Sequence, residues 1–246
     1  MTKFLTLLSA VCVLGFAANA QAQDSAASTF PGTFAANVAL TSDYVFRGIS
    51  QSDEGPALQG GFDYTYDSEA DGLPGLYLGV WGSNVDFNDD DEASLELDLY
   101  AGLTGTIDQI ATTWKLGGIY YWYPGAEDNL DYDFFEIAAS LSHDFGPFAG
   151  TFSYNYSPEY FGETGDAHYP ALAVTVPLPY DFTLNGGVGY QDIEDAEDYW
   201  TWTAGVGYTW NGFGLNLAYI DTDLDEPEEC ADGCSERVVF TVSKAF

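Results

Sequence analysis

The sequence predicts an all-β protein, and the spacing of its apolar residues is the main reason. Apolar and polar residues alternate with a period of two in many segments, whereas helical periodicity is almost absent. In residues 199–210, for example, aromatic and aliphatic side chains alternate with threonine and glycine. The next two residues, Asn211 and Gly212, are the strongest short hairpin signal between two alternating strands.

The composition excludes several classes of protein. The 246 residues include 39 acidic and 5 basic ones, for a formal charge of −34 and a pI near 4.1. Aromatic residues make up 17% of the chain, far too many for a disordered acidic protein. Nucleic acid is excluded as a partner, because phosphate contacts need lysine and arginine. After residue 20 no apolar run is long enough for a membrane helix, which leaves an extracytoplasmic β protein, secreted or membrane-embedded.

Twelve segments show the strand pattern, and the connections between them alternate in length. One set is short, such as residues 146–147 and 211–212, and the other is longer and acidic, such as 123–132 and 222–235. Outer-membrane barrels have short periplasmic turns and long extracellular loops. The sequence therefore predicts a transmembrane antiparallel up-and-down β-barrel over residues 33–246, with twelve strands, or ten as the alternative. The predicted strands are 33–47, 57–67, 75–86, 93–105, 112–122, 133–145, 148–157, 168–176, 180–190, 198–210, 212–221 and 236–246.

Tyrosine and tryptophan concentrate near the ends of the predicted strands. Such rings favour membrane interfaces, where one edge of the ring meets water and the other meets lipid. A soluble β-sandwich with aromatic core faces is the alternative, but it needs neither so many strands of near-membrane length nor alternating loop lengths. The strand-end rings are Tyr44, Tyr64, Tyr66, Tyr120, Trp122, Tyr156, Tyr190, Trp200, Trp210 and Tyr219.

The N-terminus predicts export. Lys3 supplies a positive charge, an apolar run follows, and an A-x-A cleavage site ends at Ala22. We expect a signal peptide over residues 1–22, with cleavage after Ala20 as the alternative, and a short periplasmic leader over residues 23–32. An uncleaved anchor is the other interpretation, but the apolar run is short and no basic residues follow it directly.

Two cysteines remain after the expected cleavage, Cys230 and Cys234, separated by a turn sequence. In an oxidising compartment we expect them to form a local disulfide. The loop that it closes is very short, so its stabilisation should fall below the usual range of about 2–4 kcal/mol. A metal pair with nearby acidic residues is the alternative, although two thiols without a nearby histidine make a poor zinc site.

The last predicted strand ends at Phe246, and a final strand with a terminal aromatic residue resembles the signal that the barrel-assembly machinery reads. Lys244 departs from that signal, because the apolar series of the strand favours an apolar residue there. We expect this machinery, outer-membrane lipid and lipopolysaccharide to be partners of the chain, together with small solutes.

Residues 36–52 read ANVALTSDYVFRGISQS and residues 56–64 read PALQGGFDY. This first hairpin resembles the TorF family of porins, long catalogued as conserved bacterial proteins of unknown role, and the similarity extends over the mature chain. The resemblance implies an outer-membrane β-barrel with a channel role. It supplies no catalytic residues and no confirmed substrate.

Most acidic residues fall in or beside the long connections, and they include the run Asp89, Asp90 and Asp91. If both termini are periplasmic, these loops face outward. A solvated surface that binds divalent cations is one interpretation, and a funnel that concentrates cations at the mouth is the other. The segment that starts at Asp86 begins like a calcium loop, but it lacks the glycine and the glutamate that such a loop requires.

Alternation also assigns charged side chains to the barrel interior, because charges are costly on the lipid face but tolerated in a wet lumen. Arg47 ends the first predicted strand and Arg237 begins the last, so closure places them side by side near the outer mouth. Glu96, Asp98 and Glu136 lie on the opposite wall. This predicts a transverse field across a constriction, and the alternative is a closed lumen in which these groups form ion pairs. The predicted pore-lining residues are Arg47, Asp63, Glu96, Asp98, Lys115, Glu136 and Arg237.

Hydrolase chemistry is a further alternative, because some outer-membrane barrels are proteases or lipases. Asp166 and His168 form an Asp-x-His pattern, and Asp89 and Asp91 could supply a second acidic pair, as in outer-membrane aspartyl-type proteases. In loops this acidic, such a match arises easily by chance. His143 follows a serine directly, but neighbouring strand residues point to opposite faces, which excludes a Ser–His pair. We therefore expect no enzyme activity and no cofactor.

The sequence thus predicts a bacterial outer-membrane porin-like channel for passive diffusion of small hydrophilic solutes, which favours cations because its mouth is acidic. The alternative is a non-conducting structural or adhesive barrel with acidic, ion-binding loops. A continuous water path through the lumen distinguishes the first from the second.

Overall fold

The computed structural model describes residues 31–67, 73–88, 93–127 and 129–246. Twelve strands close into one antiparallel barrel, and two further strands form a separate short ribbon, so the predicted twelve-strand barrel is confirmed. The strands are β1 (Thr33–Thr41), β2 (Val45–Phe46), β3 (Ile49–Ser50), β4 (Ala57–Tyr66), β5 (Gly75–Asn84), β6 (Leu95–Ile107), β7 (Thr112–Trp122), β8 (Phe134–Asp144), β9 (Ala149–Ser157), β10 (Ala167–Pro177), β11 (Phe182–Ile193), β12 (Tyr199–Trp210), β13 (Phe213–Thr222) and β14 (Arg237–Ala245).

Each barrel strand pairs with the next barrel strand along the chain, and β1 closes the barrel against β14. The closing register runs from Asn37 opposite Ala245 to Thr41 opposite Thr241. A closed barrel leaves no unpaired strand edge, whereas a sandwich has several. The closure therefore excludes the soluble sandwich that the sequence left open.

The alternation of side chains gives the barrel an apolar outside and an inside lined by polar and aromatic residues. On β6, Leu95, Leu99 and Leu103 are exposed, while Glu96 and Asp98 between them are buried. The same two-residue period recurs on the other barrel strands, so large apolar side chains cover the outer surface. Such a surface suits the hydrocarbon layer of a membrane. No helix among the described residues is long and apolar enough to cross a membrane.

The two ends of the barrel differ in the length of their connections. One end, here called the short-turn end, carries tight turns such as residues 145–148 and 211–212. At the second of these, Asn211 and Gly212 have φ values of 49° and 75°, the positive pair that a two-residue type I′ hairpin turn requires. The other end, here called the long-loop end, carries residues 42–56, 123–133 and 223–236.

The first strand is shorter than predicted, and this is the largest difference from the sequence-based expectation. We predicted a strand over residues 33–47, but β1 ends at Thr41, and residues 42–56 fold into the lumen. Within them, β2 and β3 form a hairpin whose two-residue turn is Arg47 and Gly48, with φ values of 48° and 93°. We call residues 42–56 the plug.

Several predicted features lie outside the described residues. They are the signal peptide over residues 1–22, residues 23–30 of the leader, and Asp89 and Asp91 of the acidic pair. The predicted export signal and the second acidic pair therefore stay predictions.

Candidate functional site

The plug crosses the lumen and is bonded to the opposite walls. The Tyr44 hydroxyl donates a hydrogen bond of 2.6 Å to Glu96 on β6. Arg47 donates from one guanidinium nitrogen to both carboxylate oxygens of Glu136 on β8, at 2.6 and 2.8 Å. The other guanidinium nitrogen donates to the side-chain oxygen of Gln191 on β11, at 2.8 Å. Three barrel strands thus hold the hairpin in place.

The tip of the plug touches the barrel wall at Gly48. A Cβ atom on this glycine would collide with the side chains of Thr201 on β12 and Thr222 on β13. The positive φ of Gly48 also disfavours any other residue. Glycine is therefore required here both by the turn and by the close approach of the wall.

The root of the plug is organised around one aspartate. Asp43 accepts hydrogen bonds from Ser50 at 2.7 Å and Ser52 at 3.1 Å, which tie the two arms of the plug together. Arg237 on β14 donates to the same carboxylate at 3.0 Å, and it also lies 3.6 Å from Glu54. The root is thus fixed to the strand beside which the barrel closes.

Side chains at the level of the plug are almost inaccessible to solvent. Every one of the twelve barrel strands contributes an inward-facing residue that is no more than 7% exposed. A water-filled pore would leave its lining accessible, so the described residues close the long-loop half of the lumen. These residues, one from each strand, are Thr41, Ala57, Trp81, Glu96, Tyr121, Glu136, Ser157, Ala167, Gln191, Tyr199, Thr222 and Val239.

The plug lies in an acidic environment. Glu96, Asp98 and Glu136 are between 1% and 2% exposed, and Arg47 faces them at 7%. Glu136 also accepts hydrogen bonds from Tyr121 at 3.1 Å and from Asn155. One oxygen of Asp98 has no hydrogen-bond partner among the described residues. Because unpaired buried carboxylates are costly, we expect the ion pairs of Arg47 with Glu136 and of Arg237 with Asp43 to attach the plug to the wall.

The short-turn half of the lumen is more accessible. Asp63 on β4 and Lys115 on β7 are only partly buried. The Tyr100 hydroxyl donates to Asp63 at 2.6 Å, and the Lys115 ammonium lies 5.2 Å from the ring centre of Tyr77. Charged and aromatic groups therefore surround the space below the plug.

The expected arrangement of the two arginines is wrong. Arg47 is not at the end of the first strand beside Arg237, because the chain leaves the barrel wall after Thr41. Arg47 instead crosses to Glu136, so cationic and anionic walls do not face each other across an open gap. The ion-paired lumen, the alternative weighed from the sequence, describes these contacts better.

The loop of residues 223–236 contacts the plug from above. Its Cys230 and Cys234 are paired as a disulfide, as the sequence predicted. The Ser50 amide donates to the carbonyl oxygen of Gly233 at 2.8 Å. In the same loop, the Ser235 hydroxyl donates to Glu226 and holds the pKa of that carboxyl below its ordinary value.

The histidines lie in outward-facing contacts. His168 is hydrogen-bonded to the Tyr154 hydroxyl at 2.7 Å, and its ring stacks on Tyr156. Asp166 accepts a hydrogen bond from Tyr156, not from the histidine. His143 is bonded to the hydroxyl of a threonine on β7. These contacts explain both histidines as parts of the outer aromatic surface.

Sequence reasoning missed the residues that hold the plug at its two ends: Asp43, Gly48 and Gln191. The sequence did contain one signal, because a polar residue followed by glycine between two short alternating segments is the pattern of a type I′ turn. No such signal marked Gln191, because a glutamine at the end of a strand is common and does not indicate a contact with a distant residue.

The fold is similar to those of solved outer-membrane channels. A structure described as the KdgM porin has a TM-score of 0.55 at 6% identity, covering 86% of this chain and 98% of that one. The COG4313 outer membrane channel from Pseudomonas putida F1 has a TM-score of 0.53 at 10% identity, covering 89% and 97%. At such low identity the likeness shows a shared barrel fold.

Sequence comparison gives a family but no activity. No curated protein matches the chain. The resemblance to TorF porins is not confirmed by name, although the barrel that it implies is present. A family model described as a bacterial protein of unknown function, Gcw_chp, matches residues 24–246. The chain therefore belongs to the Gcw_chp family.

Proposed function

We propose that this protein is an outer-membrane channel for passive diffusion of small hydrophilic solutes, and that the plug closes it in the state described here. The observation that carries the proposal is a hairpin that is not a barrel strand and that fills the long-loop half of the lumen, packed against inward-facing polar and aromatic side chains of the wall. The hairpin is not part of the barrel sheet, so its departure from the lumen would leave the barrel strands paired. Short turns are periplasmic in such barrels, which places the plug on the outer side.

A preference for cations follows from the distribution of charge. The chain carries 39 acidic and 5 basic residues, and many acidic side chains lie in the long loops. Arg47 is neutralised by Glu136, while Glu96 and Asp98 lie near it without an arginine or lysine of their own among the described salt bridges. Clustered negative charge raises the local concentration of cations.

The surroundings of the barrel follow from the same proposal. Lipid and lipopolysaccharide would contact its apolar outer surface, and the barrel-assembly machinery would read the last strand. Phe246 is 70% exposed, and its backbone pairs with Ala36 at 2.9 and 3.2 Å. Lys244 lies with its ammonium 5.0 Å from the ring centre of Phe213, a position from which a lysine reaches the interface. Export by the signal peptide over residues 1–22 completes this proposal.

The occlusion of the lumen also favours a second candidate, a non-conducting barrel that acts through its acidic loops. In that case the plug is a permanent part of the core, as in barrels whose interior is filled. The two candidates differ in what happens when the hairpin is removed, since only a channel then contains a continuous water path.

Planar-bilayer recording under a salt gradient tests the proposal. The refolded protein is compared with a variant in which residues 44–51 are replaced by a short glycine–serine linker. We expect brief openings of the intact protein and steady conductance of the shortened one, both with a cation-sided reversal potential. Asp63→Asn is the matched control, because it changes the charge of the lumen without touching the plug. Silence of the shortened variant, with folding verified by heat-modifiable gel migration, would establish the non-conducting barrel instead.

A further inference from the structure

A cavity of 280 Å³ lies at the long-loop end, directly above the plug. Its floor includes Phe46 and Ile49 of the hairpin, and its sides come from the loops that surround the mouth. We call this cavity the vestibule. Its volume is near the lower end of small-molecule sites, which measure about 300–1,000 Å³.

Aromatic rings form one side of the vestibule. The rings of Tyr132 and Phe161 are stacked, with centres 4.3 Å apart. Phe87 meets each of them edge to face, with centres 5.5 Å apart. All three rings are only partly buried, whereas Tyr123, which also lines the vestibule and contacts each of them, is 5% exposed. The cluster therefore presents ring surface to the cavity.

Carboxylates also line the vestibule. Asp53, Glu54, Asp86 and Asp232 all line the vestibule. Asp86 accepts a backbone hydrogen bond within its own turn, and so does Asp232. Among the described salt bridges, only Glu54 has a basic partner in this set, Arg237 at 3.6 Å. Carboxylates and aromatic rings thus line one space that a small molecule can fill.

We propose that the vestibule binds small organic cations, that is, an ammonium group on an apolar body. The face of an aromatic ring attracts a cation, and carboxylates add to this attraction, while the same groups repel an anion. Neutral molecules gain only from contact with the rings. The biological role of the site rests on the proposed channel, because a solute that enters from the long-loop end meets this cavity first. Binding of the cation itself does not depend on ion conduction.

The test measures binding and not conductance. Choline is titrated into the full barrel in maltoside micelles, since phosphocholine lipids would compete, and its neutral isostere 3,3-dimethyl-1-butanol is titrated in parallel. Calorimetry should show saturable binding of choline, with the isostere at least about tenfold weaker. Phe87→Leu and Asp86→Asn should each weaken choline binding several-fold. Asp192→Asn is the control, because it removes the same charge at the same end without lining the vestibule.

Three results would overturn the site: equal affinity for choline and its isostere, equal weakening by Asp192→Asn and Asp86→Asn, or no saturable binding by the folded barrel. None of these three results depends on ion flow. If the folded barrel binds choline but does not conduct, the proposed channel is disproved and the proposed binding site is supported. If the barrel conducts but does not bind choline, the binding site is disproved and the channel is supported.

Discussion

Arg47 and Glu136 form an ion pair of 2.6 Å across the lumen, and their side chains are 2% and 1% exposed. Arg47 belongs to the plug and Glu136 to the wall, so the pair joins the segment that moves in the proposed channel to one that stays in place. Removing one partner of a buried ion pair costs about 3–5 kcal/mol, because the other charge is left uncompensated. Among the described residues, this pair and the pair of Asp43 with Arg237 are the two buried ion pairs that attach the plug to the wall.

Replacing Arg47 by methionine should open the channel. Glu136 then lacks its partner, and expelling the hairpin lets water reach the carboxylate. We expect the open fraction in planar bilayers to rise at least about tenfold. The double variant Arg47→Met, Glu136→Met removes both charges and should return toward the closed state. An open fraction that is equal in the single and double variants would contradict this role of the pair.

Gly48→Val should displace the hairpin tip. Its side chain would collide with Thr201 and Thr222, and its backbone would be strained at a φ of 93°. Conductance should rise, while the melting temperature of the barrel should change little, since Gly48 lies outside the barrel strands and the hairpin tip can be displaced. Gly212→Ala is the matched control, because it strains a type I′ turn at the other end of the barrel. If both variants raise conductance equally, general loosening and not the plug is responsible.

Reduction of the disulfide should also favour opening, but less strongly. The loop that holds Cys230 and Cys234 accepts the backbone hydrogen bond of Ser50, and Thr222 donates to the carbonyl oxygen of Cys234 at 2.8 Å. Because the disulfide closes a very short loop, we expect less than the usual effect of about 2–4 kcal/mol. A reductant added on the loop side should raise the opening frequency. The double variant Cys230→Ser, Cys234→Ser should open as often as the reduced protein, and the reductant should not change its opening frequency.

Acid should loosen the same loop through Glu226. Ser235 stabilises the ionised carboxylate, so the folded pKa lies below the ordinary value of 4.5. A carboxyl with a depressed pKa stabilises the folded loop above its unfolded pKa and loses this contribution as the pH falls through the folded one. Proteolysis of the loop by pepsin should therefore accelerate below pH 4.5 in the native protein. Glu226→Gln should flatten this dependence, whereas Glu228→Gln should preserve it.

The barrel strands could be predicted because each carries a complete alternating pattern and is bounded by turn residues. The predicted strand 112–122 matches β7 at both ends, and strand 133–145 differs from β8 by a single residue at each end. The inward direction of Glu96 and Glu136 follows from the same period of two. Strand faces are therefore a local property that one sequence can show.

The plug could not be predicted in the same way. Its hairpin strands continue the two-residue alternation of β1, so the pattern is the same whether the chain extends along the wall or turns into the lumen. The decision depends on partners distant in sequence, above all Glu136 and Gln191 for Arg47. Contacts of this kind arise only when the barrel closes. Because of them, the lumen is closed by ion-paired side chains, whereas the sequence predicted an open gap between oppositely charged walls.

The accessibility of a cysteine at the level of the plug tests the central claim most directly. In a background of Cys230→Ser and Cys234→Ser, Ser83→Cys is compared with Ser140→Cys. Ser83 is 1% exposed, whereas Ser140 faces the more open half of the lumen. We predict that a small charged methanethiosulfonate reagent labels position 140 at least about a hundredfold faster, and that excising residues 44–51 removes this difference. Equal labelling rates in the protein with an intact plug would contradict a closed lumen.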